Sequence, residues 1–71
     1  MVKYMKINIG KIVKYNSITG CIRLFTNNEE IFFHEKDLID RNVRLNNEVE
    51  FNVEKLQNGD KVARNIKELK K

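Results

Sequence analysis

The sequence contains a single cysteine, no proline, no tryptophan and only three glycines. One cysteine cannot form a disulfide within the chain, and with one histidine it cannot supply the ligands of a closed zinc site. No apolar stretch approaches the roughly 18–20 residues that a membrane-spanning helix needs. Residues 1–6 also lack the long apolar stretch of a signal peptide. We therefore expect a soluble, cytoplasmic protein without a metal or other cofactor.

The length of 71 residues limits the chain further. It fits one small domain, with no room for a second core and hardly any for a catalytic pocket between lobes. The apolar share of 41% and the charged share of 34% are those of a globular protein. The sequence therefore predicts one domain over residues 1–71, with residues 67–71 as a frayed tail.

The net charge of +4 is unevenly distributed. Residues 1–25 carry five basic side chains and no acidic one, whereas residues 26–60 sum to −5 and residues 61–71 to +4. Basic segments are typical of nucleic-acid binding, because phosphate contacts release counterions. Pairing between the basic ends and the acidic middle is the alternative explanation, and the charge alone leaves both open.

The residue pattern favours strands over helices. The ten asparagines and fourteen isoleucines and valines disfavour helix interiors. Strict alternation predicts a strand at residues 49–54, and Gly10 predicts a bulge or bend within a strand over residues 7–15. Further strands are predicted at residues 21–26, 31–34 and 61–69, with one helical turn at 35–38. Asn58-Gly59 predicts a hairpin between the last two strands.

Five short antiparallel strands favour a small closed barrel, since closure removes exposed sheet edges. The pattern alone fits an OB-fold or an SH3-like barrel. A rival interpretation places a helix at residues 35–41 or 62–69, which would give a small α+β domain.

Several segments resemble the cold-shock domain, a five-stranded OB-type barrel that binds single-stranded nucleic acid. The family's first strand has the pattern Gly-x-Val-Lys-Trp-Phe-Asn, and residues 10–16 read Gly-Lys-Ile-Val-Lys-Tyr-Asn. Its second ribonucleoprotein motif, Val-Phe-Val-His, corresponds to Ile-Phe-Phe-His at residues 31–34. Its first such motif, Lys-Gly-Phe-Gly-Phe-Ile, is degraded to Thr-Gly-Cys-Ile-Arg-Leu at residues 19–24. With Val-x-Phe at 49–51 and Ala-x-Asn-Ile at 63–66, the resemblance covers about four-fifths of the chain and implies an all-β OB-fold barrel.

The resemblance also implies that bases stack on exposed aromatic side chains of the first three strands, each stack contributing about 1–3 kcal/mol. Phe32 and His34 match two of those positions, and alternation puts Ile31 and Phe33 on the opposite face. Tyr15 matches the aromatic beside the family's exposed tryptophan. It is expected either to stack on a base or to close the barrel edge.

Charged and small side chains stand at other stacking positions of the family. Lys14 occupies the tryptophan position, and Cys21 and Arg23 replace two phenylalanines of the first motif. Glu35 replaces a further aromatic and would repel phosphate. Arg23 can still stack through its guanidinium plane. The expected phosphate contacts are Lys11, Lys14, Arg23 and Lys61.

Two classes of function remain open. The first is a cold-shock-type protein that binds single-stranded RNA or DNA, as an RNA chaperone or a regulator of transcription or translation. The second is an OB-fold module for a protein partner, or a homodimer, that has lost most nucleic-acid binding. An enzyme is the weakest hypothesis, because a shallow barrel face lacks the water-excluded pocket that acid–base chemistry prefers. No membrane or small-molecule partner is expected.

Overall fold

The computed structural model describes residues 7–69, which form a closed five-stranded β-barrel. The strands are β1 (Asn8–Tyr15), β2 (Thr19–Leu24), β3 (Glu30–His34), β4 (Glu48–Lys55) and β5 (Lys61–Glu68). A short 3-10 helix, Glu35–Asp37, follows β3, and a loop over residues 38–47 leads to β4. The expectations for residues 1–6, and for residues 70–71 of the predicted tail, lie outside the described residues. Lys67 and Glu68, the first residues of that tail, belong to β5 and pair with β4. A single domain over the whole chain stays a prediction.

The all-β prediction is confirmed, and neither rival helix is present. Residues 62–69 lie almost entirely in β5, and only Glu35–Asp37 of the other candidate segment is helical. The second strand begins and ends two residues earlier than expected, at Thr19 and Leu24. The predicted hairpin joins β4 to β5, and Gly59 takes a left-handed backbone there with a φ of 96°.

The barrel closes in the order β1-β2-β3-β5-β4, with β4 paired back onto β1. All neighbouring strands are antiparallel except β3 and β5, which meet as a parallel pair at Phe32 and Val62. Each strand therefore has two neighbours, although within the described residues β3 and β5 pair only at Phe32 and Val62. This is the OB-type arrangement that the sequence resemblance implied.

The core consists of inward-facing side chains of all five strands, together with Leu38 and Val43 of the loop before β4. Phe33 and Phe51 are its largest members and are at most 2% exposed. Burial of each such side chain contributes about 1.5–3 kcal/mol. The other buried apolar residues are Ile12, Ile22, Leu24, Ile31, Leu38, Val43, Val49, Ala63 and Ile66.

The sequence predicts a bulge or bend at Gly10, but the bulge in β1 lies at Val13. Gly10 pairs in register with both neighbouring strands, whereas the register with β2 shifts between Ile12 and Lys14. Glycine is needed at position 10 for another reason, because an added Cβ would clash with the Arg23 carbonyl of β2. The extra residue at the bulge reverses the alternation after Ile12. Lys14 therefore faces out and Tyr15 faces in.

Candidate nucleic-acid interface

The outer face of β1, β2 and β3 carries most of the predicted site residues, and the strand register sets them in rows. In one row Lys14 lies opposite Cys21, which in turn lies opposite Phe32. In the neighbouring row Lys11 lies opposite Arg23, which lies opposite Glu30. Directly opposite side chains in antiparallel strands are about 4.5–5.5 Å apart at Cβ. The outer face therefore brings together a phenylalanine, a cysteine, three basic side chains and one glutamate.

Phe32 is the central feature of this face. Its side chain is 47% exposed, although its neighbours Ile31 and Phe33 are 1% and 0% exposed. The predicted division of β3 into an outward Phe32 and inward Ile31 and Phe33 is thus confirmed. A half-exposed aromatic ring at the middle of a strand offers an open π-face to a ligand.

Tyr15 points away from this face. Its ring packs on Phe33 with centroids 5.5 Å apart, and the side chain belongs to the partly buried layer around the core. Of the two expectations for Tyr15, this geometry favours closure of the barrel end. Part of the Tyr15 side chain nevertheless remains accessible at the edge of the face.

A shallow groove, here called the Lys14 groove, runs between Phe32 and the end of β1. Its lining includes Val13, Lys14, Tyr15, Cys21, Phe32 and Leu45. Leu45 was not predicted as a site residue, because the sequence does not reveal that its loop packs against β1. The loop is held against β1 by two hydrogen bonds, from the Ile12 amide to the Asn47 carbonyl (3.0 Å) and from the Asn46 amide to the Ile12 carbonyl (2.8 Å). Leu45 is 51% exposed there and adds an apolar wall.

A second groove, here called the Glu30 groove, lies on the other side of Phe32. Its lining includes Glu29, Glu30, Phe32, Leu56, Asp60 and Lys61. Phe32, Leu56 and Val62 contribute apolar side chains, but three of its side chains are carboxylates. Phe32 therefore forms a ridge between two grooves of different charge.

The four basic residues of the predicted site differ in their partners. Arg23 forms an ion pair with Glu30 at 3.3 Å, and Lys61 forms one with Glu29 at 3.2 Å. Lys11 and Lys14 form no ion pair with any acidic side chain within residues 7–69. The sequence did not distinguish these two pairs of cations, because the ion pairs depend on the strand register and on the turn before β3.

His34 ends β3 and caps the 3-10 helix. Its Nδ1 accepts a hydrogen bond from the Lys36 amide at 3.1 Å, so a neutral ring in this arrangement carries its proton on Nε2. The side chain is half-buried. The hydrogen bond to the Lys36 amide holds the ring of His34 in place beside Thr19, the residue opposite it on β2. Glu35, the next residue, was expected to repel phosphate and is ion-paired with Arg41 at 2.7 Å.

Arg64, Asp37 and Glu54 form an ion-pair network next to the 3-10 helix that was not predicted from the sequence. Arg64 on β5 donates from Nε to Glu54 at 2.8 Å and from Nη1 to Asp37 at 3.1 Å. The hydrogen bond to Glu54 raises the pKa of Arg64 above its ordinary value, and the bond to Asp37 adds a smaller effect in the same direction. The network ties the 3-10 helix to β4 and β5. No local sequence pattern predicts the network, because Arg64 lies 10 residues from Glu54 and 27 residues from Asp37 in the chain.

Residues 7–69 contain neither a membrane-spanning helix nor a cluster of metal ligands. No helix there is long and apolar enough to cross a membrane. No group of three or more histidine, cysteine, aspartate and glutamate side chains in that range is placed to hold a metal ion.

The fold and the register of the outer face define a class of protein, the small OB-type barrel with a β1–β3 platform. The chain is similar to a solved structure of drosophila Unr CSD456, with a TM-score of 0.75 and 30% sequence identity over 92% of this chain. It spans 27% of that longer chain. No family model and no curated protein sequence matches. Together with the five-stranded barrel, this similarity shows that the chain belongs to the cold-shock domain family, a family of nucleic-acid-binding OB-folds.

Proposed function

We propose that this chain binds single-stranded RNA or DNA on the outer face of β1–β3, as a cytoplasmic RNA chaperone or regulator of transcription or translation. The observation that carries the proposal is the half-exposed Phe32 ring between Lys14 and the apolar side chains of both grooves. Exposure alone does not single out Phe32, because Phe25 is equally exposed. Phe32 differs because its ring lines both grooves and lies beside Lys14 and the apolar side chains there, where a base can stack on it.

In the proposed mechanism, bases stack on protein rings while basic side chains contact phosphates. One base stacks on Phe32 and another on the ring of His34. Lys14 and Lys11 contact phosphates directly, since neither has an acidic partner within residues 7–69. Arg23 can contribute its guanidinium plane, but only in competition with Glu30. Strands held in this way cannot pair with a complement.

The arrangement supports weak binding with low sequence preference. Two stacks of about 1–3 kcal/mol each supply about 2–6 kcal/mol, so with only two phosphate contacts we expect dissociation constants in the micromolar to millimolar range. Stacking does not discriminate strongly between bases, since every base has a π-face. Cys21 provides no ring beside Phe32, so the continuous aromatic surface of the family is interrupted here.

The test is a titration of labelled, pyrimidine-rich RNA and DNA oligonucleotides with the full chain, followed by fluorescence anisotropy. The label is needed because the chain has no tryptophan. We expect saturable binding at low salt that weakens as salt is added. An absence of binding up to millimolar protein at low salt would contradict the proposal.

A protein partner is the second candidate function, and exposed apolar side chains outside the two grooves favour it. Ile9, Phe25 and Ile39 are 40%, 50% and 59% exposed. The test is capture of a partner by the immobilised chain. Under this candidate, capture survives nuclease treatment and fails for Phe25→Ser; capture that nuclease abolishes speaks against it.

A further inference from the structure

The two grooves beside Phe32 differ in charge although they share its ring. The Lys14 groove contains one basic side chain and no acidic one. The Glu30 groove contains the carboxylates of Glu29, Glu30 and Asp60 against the single ammonium group of Lys61. A phosphate backbone that crosses Phe32 from the first groove into the second therefore meets like charge.

The acidic side chains of the Glu30 groove also engage the cations beside it. Glu29 holds Lys61 at 3.2 Å, and Glu30 holds Arg23 at 3.3 Å across the β2–β3 pair. Glu29 is half-buried, and its backbone carbonyl accepts a hydrogen bond from the Leu24 amide at 2.8 Å, so it is fixed by the turn before β3. A phosphate that approaches Lys61 or Arg23 therefore meets a cation whose charge is already offset by a neighbouring carboxylate.

We infer that the path of a bound strand ends at Phe32, and that Glu29 and Glu30 set this limit. The inference rests on the proposed nucleic-acid binding. The site then takes a short single-stranded segment of about four nucleotides, the lower end of the range for OB-folds. The strand lies over β1, β2 and the Lys14 groove, and the next phosphates project into solvent rather than into the Glu30 groove.

The first arm of the test measures the affinity of the wild-type chain for labelled oligothymidylates of increasing length at low salt. We expect the affinity to rise steeply up to about four nucleotides and then to increase only by the small statistical factor for additional registers. A steady, steep rise through eight nucleotides overturns the inference. An absence of binding at every length instead contradicts the proposed function, so the two failures are distinguishable.

The second arm uses the double variant Glu29→Gln/Glu30→Gln, which releases Arg23 and Lys61. We expect about tenfold tighter binding of the octamer, the order of effect for two added phosphate contacts, and less than a twofold change for the tetramer. The matched control is Asp40→Asn/Glu68→Gln, which makes the same change in net charge but lines neither groove. Equal tightening of both lengths by the test variant, or equal tightening of the octamer by the control, overturns the inference. Thermal melting of all three proteins verifies that each is folded.

Discussion

The two sides of the β1–β3 sheet differ in role, because the inner side forms the core and the outer side forms the proposed binding face. On the inner side, Ile12, Ile22 and Ile31 form one buried row, and Phe33 packs beside them. On the outer side, the corresponding row holds Lys14, Cys21 and Phe32. Ile12, Ile31 and Phe33 stand where the cold-shock pattern has valine, although Ile22 stands where it has glycine. The outer row keeps only one of the three aromatic side chains of the pattern. Core packing therefore fixes the barrel, and the outer face can change its chemistry at little cost in stability.

The largest effect expected from this comparison is on stability, at Phe33. Phe33→Ala removes a fully buried ring and should lower the free energy of unfolding by about 3–5 kcal/mol. Phe32→Ala, one residue away on the outer side, should lower it by less than about 1 kcal/mol, as is usual for exposed positions. Urea denaturation of both variants measures the difference. Similar losses at the two positions would contradict the division into an inner and an outer side.

The next effect is a gain of affinity at Cys21. Cys21→Phe places a ring between Lys14 and Phe32 and should tighten oligonucleotide binding by about 1–3 kcal/mol, because it adds a stacking surface. Cys21→Ser is the matched control, since it alters the same position without adding a π-face. Anisotropy titrations of the two variants should therefore diverge. Equal affinities would mean that no base reaches the centre of the outer row.

A smaller effect on stability is expected at Arg64. Arg64→Gln breaks the bonds to Glu54 and Asp37 and should lower the free energy of unfolding by about 1 kcal/mol, the upper range for partly exposed ion pairs. Arg44→Gln serves as the control, because Arg44 is exposed and forms no ion pair within residues 7–69. If chemical denaturation shows the same stability for both variants, the network does not hold the 3-10 helix in place.

The smallest expected effect is on the salt dependence of oligonucleotide binding, at Lys14. If Lys14 contacts one phosphate, Lys14→Gln should reduce the slope of log affinity against log salt by about 0.7. Lys55→Gln, which removes the same charge from a side chain in neither groove, should leave the slope unchanged. Titrations at four salt concentrations give the slopes. Identical slopes for the two variants would mean that Lys14 does not contact a phosphate.

Most of the fold could be predicted from the sequence, because alternation and turn residues act locally. The alternation at residues 49–54, the Asn58-Gly59 hairpin and the inward position of Phe33 all follow from neighbouring residues alone. The bulge could not be predicted in the same way. Apolar Ile12 and Val13 are consecutive, so either can take the inward position, and the choice depends on how β1 fits against β2.

The site could be predicted only in part. The resemblance identified Phe32, and the structure places it on the outer face with Lys11, Lys14 and Arg23. Tyr15 faces inward because of the bulge, which no local pattern revealed. The pairing of Arg23 and Lys61 with glutamates, and the position of Leu45 beside β1, depend on contacts between segments that are distant in sequence.

The central claim is that the outer face of β1–β3 binds a strand through Phe32. Phe32 and Phe25 provide a matched pair, because their side chains are 47% and 50% exposed but only Phe32 lies in the grooves. The decisive measurement is the affinity of a pyrimidine-rich oligonucleotide for Phe32→Ala and Phe25→Ala at low salt. We predict a loss of about tenfold or more for Phe32→Ala, the value of one stack, and less than twofold for Phe25→Ala. Equal affinities of the two variants would contradict the claim.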